Sequence, residues 1–341
     1  MDRNESARGR WARSAAVLAL VAASLAAPAR AGACDLCAIY TGSLLQQEKT
    51  GLFLGVAEQY TDFGTIHEDG TNREPNTFDE WIHSSITQLV AGWSFTPWIG
   101  VQANVPLISR SYRRLEDGLP NQSHTGGLGD VSALLRVSPY QGETGPLIVH
   151  TELLAGLKLP TGSGHFLQEE LPGAHEAEGA AVSGFPRHGD EGHSVVGGHD
   201  LALGTGSVDG IFGATAHASW NRFFAEAAVQ YVVRGNGDYS YEFANDLTWE
   251  AGSGVYVVTE HAWTASVSVV TSGENKGRDH QKGQLLDDTA ITALYLGPNV
   301  ALTWKDSLHA ELGVDLPVLQ DVTARQLVAD YRLRAGLVWR F

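Results

Sequence analysis

Hydrophobic and polar residues alternate in steps of two through most of the chain, and the last eleven residues show it most plainly. Tyr331, Leu333, Ala335, Leu337, Trp339 and Phe341 fall on one face, and Arg332, Arg334, Gly336, Val338 and Arg340 on the other. Successive side chains of a strand point to opposite sides, so this segment predicts a strand with one apolar and one strongly polar face. Leu308, Ala310, Leu312, Val314 and Leu316 likewise oppose His309, Glu311 and Asp315, and Trp263, Ala265, Val267 and Val269 oppose Thr264, Ser266 and Ser268. Leu147, Val149, Thr151, Leu153, Ala155, Leu157 and Leu159 oppose His150, Glu152 and Lys158. Strand-like runs are expected at 51–60, 84–95, 98–108, 127–138, 147–159, 201–218, 222–234, 245–257, 262–272, 289–304, 307–317 and 331–341, twelve in all. Most are about ten residues long, the length a tilted strand needs to cross a bilayer.

The connections between these runs carry further information. Short turns are expected at Thr96-Pro97, 139–146, Trp220-Asn221, 258–261 and Lys305-Asp306, and long polar links at 61–83, 109–126, 160–200, 235–244, 273–288 and 318–330. Short and long alternate, as in an up-and-down membrane barrel with short periplasmic turns and long external loops. Trp93, Phe95, Trp98, Trp220, Phe223, Trp263, Trp304, Trp339 and Phe341 gather near the short turns, where an interfacial girdle belongs. A soluble sandwich would use the same residues as large hydrophobes at strand ends. The expected fold is all-β: an antiparallel, up-and-down transmembrane β-barrel of about twelve strands, with both termini periplasmic. Pro106, Pro298 and Pro317 fall within or at the ends of runs and mark soft boundaries or bulges.

The N-terminus adds a destination. Arg3, Arg8, Arg10 and Arg13 precede an apolar run from Ala15 to Ala27, and Ala29-Arg30-Ala31 supplies small residues for cleavage. This reads as a signal peptide over 1–31. The run is too short for a spanning helix, which needs roughly 20 residues. Residues 32–50 are expected to form a periplasmic segment and possible plug, and residues 51–341 the barrel. Export and barrel together predict the outer membrane, with its lipids as partners. The strand ending on Phe341 is expected to engage the barrel-assembly machinery.

The chain has 341 residues, a formal charge of −16, 39 Gly and one Met. The negative charge argues against nucleic acid as a partner. Near-neutral mean hydropathy, −0.12, suits a barrel, since only every second strand residue meets lipid.

Gly127-Leu128-Gly129-Asp130, Gly156-Leu157-Lys158-Leu159-Pro160-Thr161-Gly162, Leu203-Gly204-Thr205-Gly206-Ser207-Val208-Asp209 and Tyr331-Arg332-Leu333-Arg334-Ala335-Gly336-Leu337 give the chain a family resemblance. From about residue 50 to the end it resembles the outer-membrane family named for transport in the MetA pathway of phenol degradation. The resemblance implies a barrel and, by loose analogy, uptake of small, often aromatic or apolar, compounds.

Three sets of residues could carry chemistry. The inward face supplies Gln102, Asp130, Arg136, His150, Glu152, Lys158, Glu226, Gln230, Glu311, Asp315, Arg332 and Arg334, which could pair and plug a lumen or line a selective constriction. The long loop holds His165, His175, His188, His193 and His199 among many carboxylates. Imidazole and carboxylate suit zinc, copper or nickel, whereas a solvated acidic loop needs no metal. Cys34 and Cys37 could form a disulfide, hold a metal or act as a redox pair, and Cys34 could instead be lipidated. Ala38 excludes a haem attachment motif. No nucleophile motif stands out, so no enzyme is expected. The leading expectation is an outer-membrane channel or facilitator for a small-molecule solute. A metal-binding outer-membrane protein comes second, and an outer-membrane lipid hydrolase is a weaker alternative.

Overall fold

A computed structural model describes residues 50–116, 118–171 and 193–341. The signal peptide, Cys34, Cys37, His175 and His188 therefore lie outside the described residues. The wall is built in chain order from β1 (Gly51–Gly70), β3 (Trp81–Thr96), β4 (Ile99–Glu116), β6 (Ser132–Thr144), β7 (Leu147–Lys158), β8 (Asp209–Trp220), β9 (Phe223–Val233), β11 (Asp246–Glu260), β12 (Trp263–Lys276), β15 (Ile291–Trp304) and β16 (Leu308–Arg340). Each pairs antiparallel with the next, and β16 closes on β1. Closure leaves no free edge around the ring, which is what a sheet needs to survive without water on its backbone.

The last strand makes two passes. Leu308 to Val322 pairs with β15, and Val322 to Arg340 pairs with β1. The chain reverses near Ala324, which has a φ of 52°. The Arg340 amide donates to the Ser307 carbonyl at 2.7 Å, so the two ends of the hairpin meet. Eleven wall strands, the last one doubled, thus cross twelve times.

The wall is inverted relative to a soluble protein. On the final pass Leu333, Leu337, Trp339 and Phe341 are 43 to 67% exposed, while Arg332 is 9% and Val338 2% exposed. Burying one large aliphatic side chain gains about 1.5–3 kcal/mol, so a row of outward Leu and Trp is stable only against another apolar phase. The outward face carries the same pattern elsewhere, from Trp93, Phe95 and Trp98 to Trp220, Phe223 and Trp263. No helix among the described residues is long and apolar enough to cross a membrane; strands do the crossing.

Local chemistry explains several details. Lys305 and Asp306 both have positive φ, the geometry of a two-residue hairpin turn that matches strand twist. Aromatic rings lie across facing glycines: a Cβ on Gly92 would come 2.2 Å from the Phe53 ring, one on Gly254 2.6 Å from Phe224, and one on Gly273 2.3 Å from Trp249. Pro106 sits where β4 changes partner, from β6 below to β5 (Leu119–Leu128) above. Pro317 sits at a register shift between β15 and β16.

Some expected boundaries are corrected. The links at 61–83, 109–126 and 318–330 are largely strand: β1 continues to Gly70 and β2 (Asn72–Glu74) folds back on it, β4 and β5 form a hairpin, and β16 stays paired on both sides of its reversal near Ala324. There the inward side is packed, with Ile66, Tyr112, Leu115, Val322 and Val328 buried, so the apolar-out, polar-in alternation fades while backbone pairing continues. The run expected at 127–138 is shifted, with β6 starting at Ser132 and continuing past a bulge between Val137 and Tyr140 to Thr144. The run expected at 201–218 begins only at Asp209; Leu201 ends a short helix, α1 (Gly198–Leu201). The links at 235–244 and 273–288 contribute β10 (Tyr241–Glu242), β13 (His280–Gln281) and β14 (Gln284–Leu285), a small three-stranded sheet.

Candidate functional site: the lumen and its outer closure

Strand alternation sends every second polar residue inward, and the inner wall is not uniform around the ring. Against β3 to β7 it is filled: Gln88, Gln102, Asn104, Leu134, Arg136, Glu152 and Leu154 are all buried. Arg136 grips Glu152 in a bidentate pair, Nε to Oε1 at 2.8 Å and Nη2 to Oε2 at 2.9 Å, and lies 5.3 Å over the Phe53 ring. Gln102 donates to Asn104 at 2.7 Å.

Against β8 to β16 the inner face is mixed: Ile211, Phe224, Val232, Val270 and Tyr295 are buried, and smaller groups stand between them. Thr215, Ala228, Thr248, Gly252, Ser266 and Ala301 are partly exposed there. Charges stand among them. Arg334 binds both Glu250 and, at 3.0 Å, Asp315. Arg332 reaches Glu274 at 3.1 Å and lies 4.2 Å over the Tyr295 ring. His150, His217 and Glu226 occupy one cross-strand row on β7, β8 and β9. Glu311 is partly exposed on the first pass of β16, and Gln230 is buried on β9.

A third network lies at the ends of the strands joined by long loops. Lys158 bridges Asp130 and, at 2.8 Å, Asp209; Arg234 meets Asp209 at 3.0 Å and Asp246 at 3.5 Å. Asp130 also accepts the amides of Gly162 and Thr205, each at 2.9 Å. The Thr205 hydroxyl accepts from Lys158 Nζ at 2.6 Å. Gly204 is required at this point, because a Cβ there would come 2.6 Å from Asp130 Oδ1. Buried charges are tolerable only when paired and hydrogen-bonded, and this network meets that condition. Three of the segments that carry the family resemblance, 127–130, 156–162 and 203–209, converge on it.

From this network residues 193–208 run inward across the lumen. Val196 and Leu201 pack on Ile82 of β3 and Tyr112 of β4, with Phe63, Phe166 and Leu327 around them. Leu203 packs on Ile86 and Ile108. Arg110 Nη1 donates to the Ala202 carbonyl at 2.8 Å. Glu80 receives the Ser194 hydroxyl, the Val195 amide at 3.5 Å and the Leu115 amide at 3.2 Å. A second layer covers this strap: Leu167, Tyr241, Phe243 and Leu286 form one buried cluster with Ala202 of the strap, drawn from three connections between wall strands. Tyr241 Oη and Lys276 Nζ both donate to Asp279 Oδ2, at 2.7 and 2.8 Å.

The described loop histidines do not converge. His165 contacts Ser163 at 3.0 Å and packs on Phe166. His199 pairs with Glu170 at 2.9 Å and Asp200 at 3.4 Å, stacked beside Tyr241. Burial works against its charge, but Asp200 and then Glu170 outweigh that, raising its pKa to about 10. His193 opens the strap. Among the described residues no three His, Cys, Asp or Glu are grouped to hold a metal ion.

Of the twelve residues named from the sequence, Asp130 and Lys158 sit in the outer network, and Gln102, Arg136, His150, Glu152, Glu226, Gln230, Glu311, Asp315, Arg332 and Arg334 are buried or partly exposed on their strands. Arg110, Arg234, Asp246, Glu250, Glu274 and Lys276 belong to the same networks and were missed. Arg110 shares the parity of Gln102, and Glu250 that of Gly252, so the period-two pattern already pointed to both. Arg234 and Asp246 stand at strand ends, where the pattern gives no side.

No family model matches the chain, and no curated protein sequence matches it. Solved structures do. The COG4313 outer membrane channel from Pseudomonas putida F1 is similar over 89% of this chain and 100% of its own, at 12% identity and a TM-score of 0.58. The transport unit of the autotransporter AIDA-I from Escherichia coli covers 90% of this chain and 94% of its own, at 8% identity and a TM-score of 0.42. The P. putida toluene transporter TodX covers 89% and 93%, at 9% identity and a TM-score of 0.38. At 12% identity the first likeness concerns the fold, and the fold is that of an outer-membrane β-barrel.

Proposed function

We propose that this chain is an outer-membrane channel or facilitator for small solutes, with both termini on the periplasmic side. The observation that carries the reading is the asymmetry of the inner wall. The arc from β3 to β7 is mostly buried, while the arc from β8 to β16, buried at Ile211, Val232, Val270 and Tyr295, also presents small and charged side chains that remain partly exposed inside a barrel whose outer face is apolar. A barrel serving only as an anchor has no need of such an arc; a water-filled path does. The outward Leu, Val and Trp face lipid, and the strand ending on Phe341 engages the assembly machinery. The acidic and basic groups along the path favour polar or charged solutes over purely apolar ones. Apolar uptake, which the family resemblance implies, would leave Arg334, Glu250 and Asp315 without water or solute to complete their hydrogen bonding.

Liposome swelling with a graded series of sugars and amino acids tests the reading. Influx that falls with solute size is expected. Liposomes holding heat-modifiable, folded protein that swell no faster than empty ones would refute it.

A further inference from the structure

We infer that residues 193–208 are the gate of this channel, a strap latched across the outer half of the lumen and hinged beside Asp130. The inference rests on the channel reading above and assigns how that path is closed. Three observations carry it.

First, the strap carries a polar latch at each end, with further contacts from Arg110 to the Ala202 carbonyl and from Glu170 to His199 in between. Glu80 takes the Ser194 hydroxyl and the Val195 amide at one end; Asp130 takes the Thr205 amide at the other. Between them Val196, Leu201 and Leu203 cover Ile82, Ile86, Ile108 and Tyr112.

Second, those covered residues are anomalous on their own strands. Inward positions of β3 and β4 are otherwise mainly polar or charged: Ser84, Gln88, Gln102, Asn104 and Arg110. Four of the apolar inward residues, Ile82, Ile86, Ile108 and Tyr112, lie under the strap, while Val90, further along β3, packs on Phe53 and Val338.

Third, the segment has hinges. Gly204 lies against Asp130, and Gly206, with a φ of +72°, separates Thr205 from Ser207. Rotation there lifts the strap while Lys158, Asp209 and Arg234 stay fixed on the wall. Flexible or strained positions at the ends of a rigid piece are the usual way a closing element moves.

The test is single-channel recording on the full chain. Leu203→Cys with Ile108→Cys, in a Cys34→Ser, Cys37→Ser background, ties the strap to the wall when oxidised. Val196→Cys with Ile82→Cys is a second tie should the first pair fail to oxidise. The oxidised protein is expected to lose nearly all openings, and reductant to restore them. Glu80→Ala, which removes one latch, is expected to raise open probability about tenfold, the factor that loss of about 1.4 kcal/mol produces. A heat-modifiable gel shift reports folding of each variant. Equal open probability in tied and reduced forms would overturn the gate and leave the channel standing. Absence of conductance in the reduced, wild-type and Glu80→Ala proteins alike would overturn the channel reading itself.

Discussion

At the scale of single side chains, the buried pair of Arg136 and Glu152 offers a simple test of what a charge inside the wall contributes. The Arg136 guanidinium is buried, paired through two hydrogen bonds with Glu152 and seated over Phe53. Removing one member of such a pair leaves an uncompensated charge, typically at a cost of about 3–5 kcal/mol, whereas replacing both by apolar groups of similar volume is close to neutral. Arg136→Ala is therefore expected to destabilise the barrel by roughly 3–5 kcal/mol in urea unfolding, and the double variant Arg136→Met, Glu152→Leu by much less. Equal losses in the two would show that packing, not charge, is what Arg136 supplies.

His199 gives a pH dependence at the same scale. Its folded pKa is raised from 6.5 to about 10. A raised pKa means that the charged form is favoured on folding, so the stability it contributes is whole below about 6.5 and declines until pH passes about 10. Protease resistance of the outer closure is expected to fall across that window. His199→Gln should show a lower resistance that stays flat over the same range; a wild-type profile without slope would contradict the assignment.

Strands, at the next scale, were the most legible part of the sequence. Period-two alternation placed Leu308 to Leu316 and Tyr331 to Phe341 on the correct faces, because lipid on one side and water on the other impose opposite demands on neighbouring residues. The same reasoning placed Lys158, Glu152 and Arg332 inside. It failed where that contrast ends. The outer parts of β1, β4 and β16 pack their inward residues on apolar neighbours, so the apolar-out, polar-in alternation that marks the rest of the wall is lost there. It failed again at Leu201 to Leu203, a short apolar run that looked like the start of a strand but covers Ile82, Ile86, Ile108 and Tyr112 from within the lumen. Periodicity cannot tell a buried strap from a strand over so few residues.

The two faces of a strand should answer differently to the same charge. Leu312→Arg on the outward face of β16 is expected to cost about 2–4 kcal/mol in lipid and little in conductance. Ser266→Arg on the inward face of β12, beside Ala301 in register, should leave stability nearly unchanged and narrow the path, lowering conductance. Reversal of that pattern would mean that inside and outside have been exchanged.

At the scale of the whole molecule, a closed ring of twelve crossings solves the backbone problem of a membrane, and its loops then build the outer closure. The three Gly-rich segments 127–130, 156–162 and 203–209 carry the family resemblance in the sequence and fall largely within expected strand runs. Together they build the hinge and anchor of the strap, a role visible only once the ring brings Asp130, Lys158 and Asp209 together. Histidine spacing in the long loop was less informative: the sequence does not show that His199 is held by Glu170 and Asp200.

The central claim is a solute path through the ring, and recording from planar bilayers tests it most directly. Folded wild-type protein added to one side is expected to give discrete conductance steps that appear and vanish as the strap opens and closes. Membranes that contain heat-modifiable protein, shown by recovery from the bilayer, yet stay electrically silent for both wild type and Glu80→Ala would contradict it.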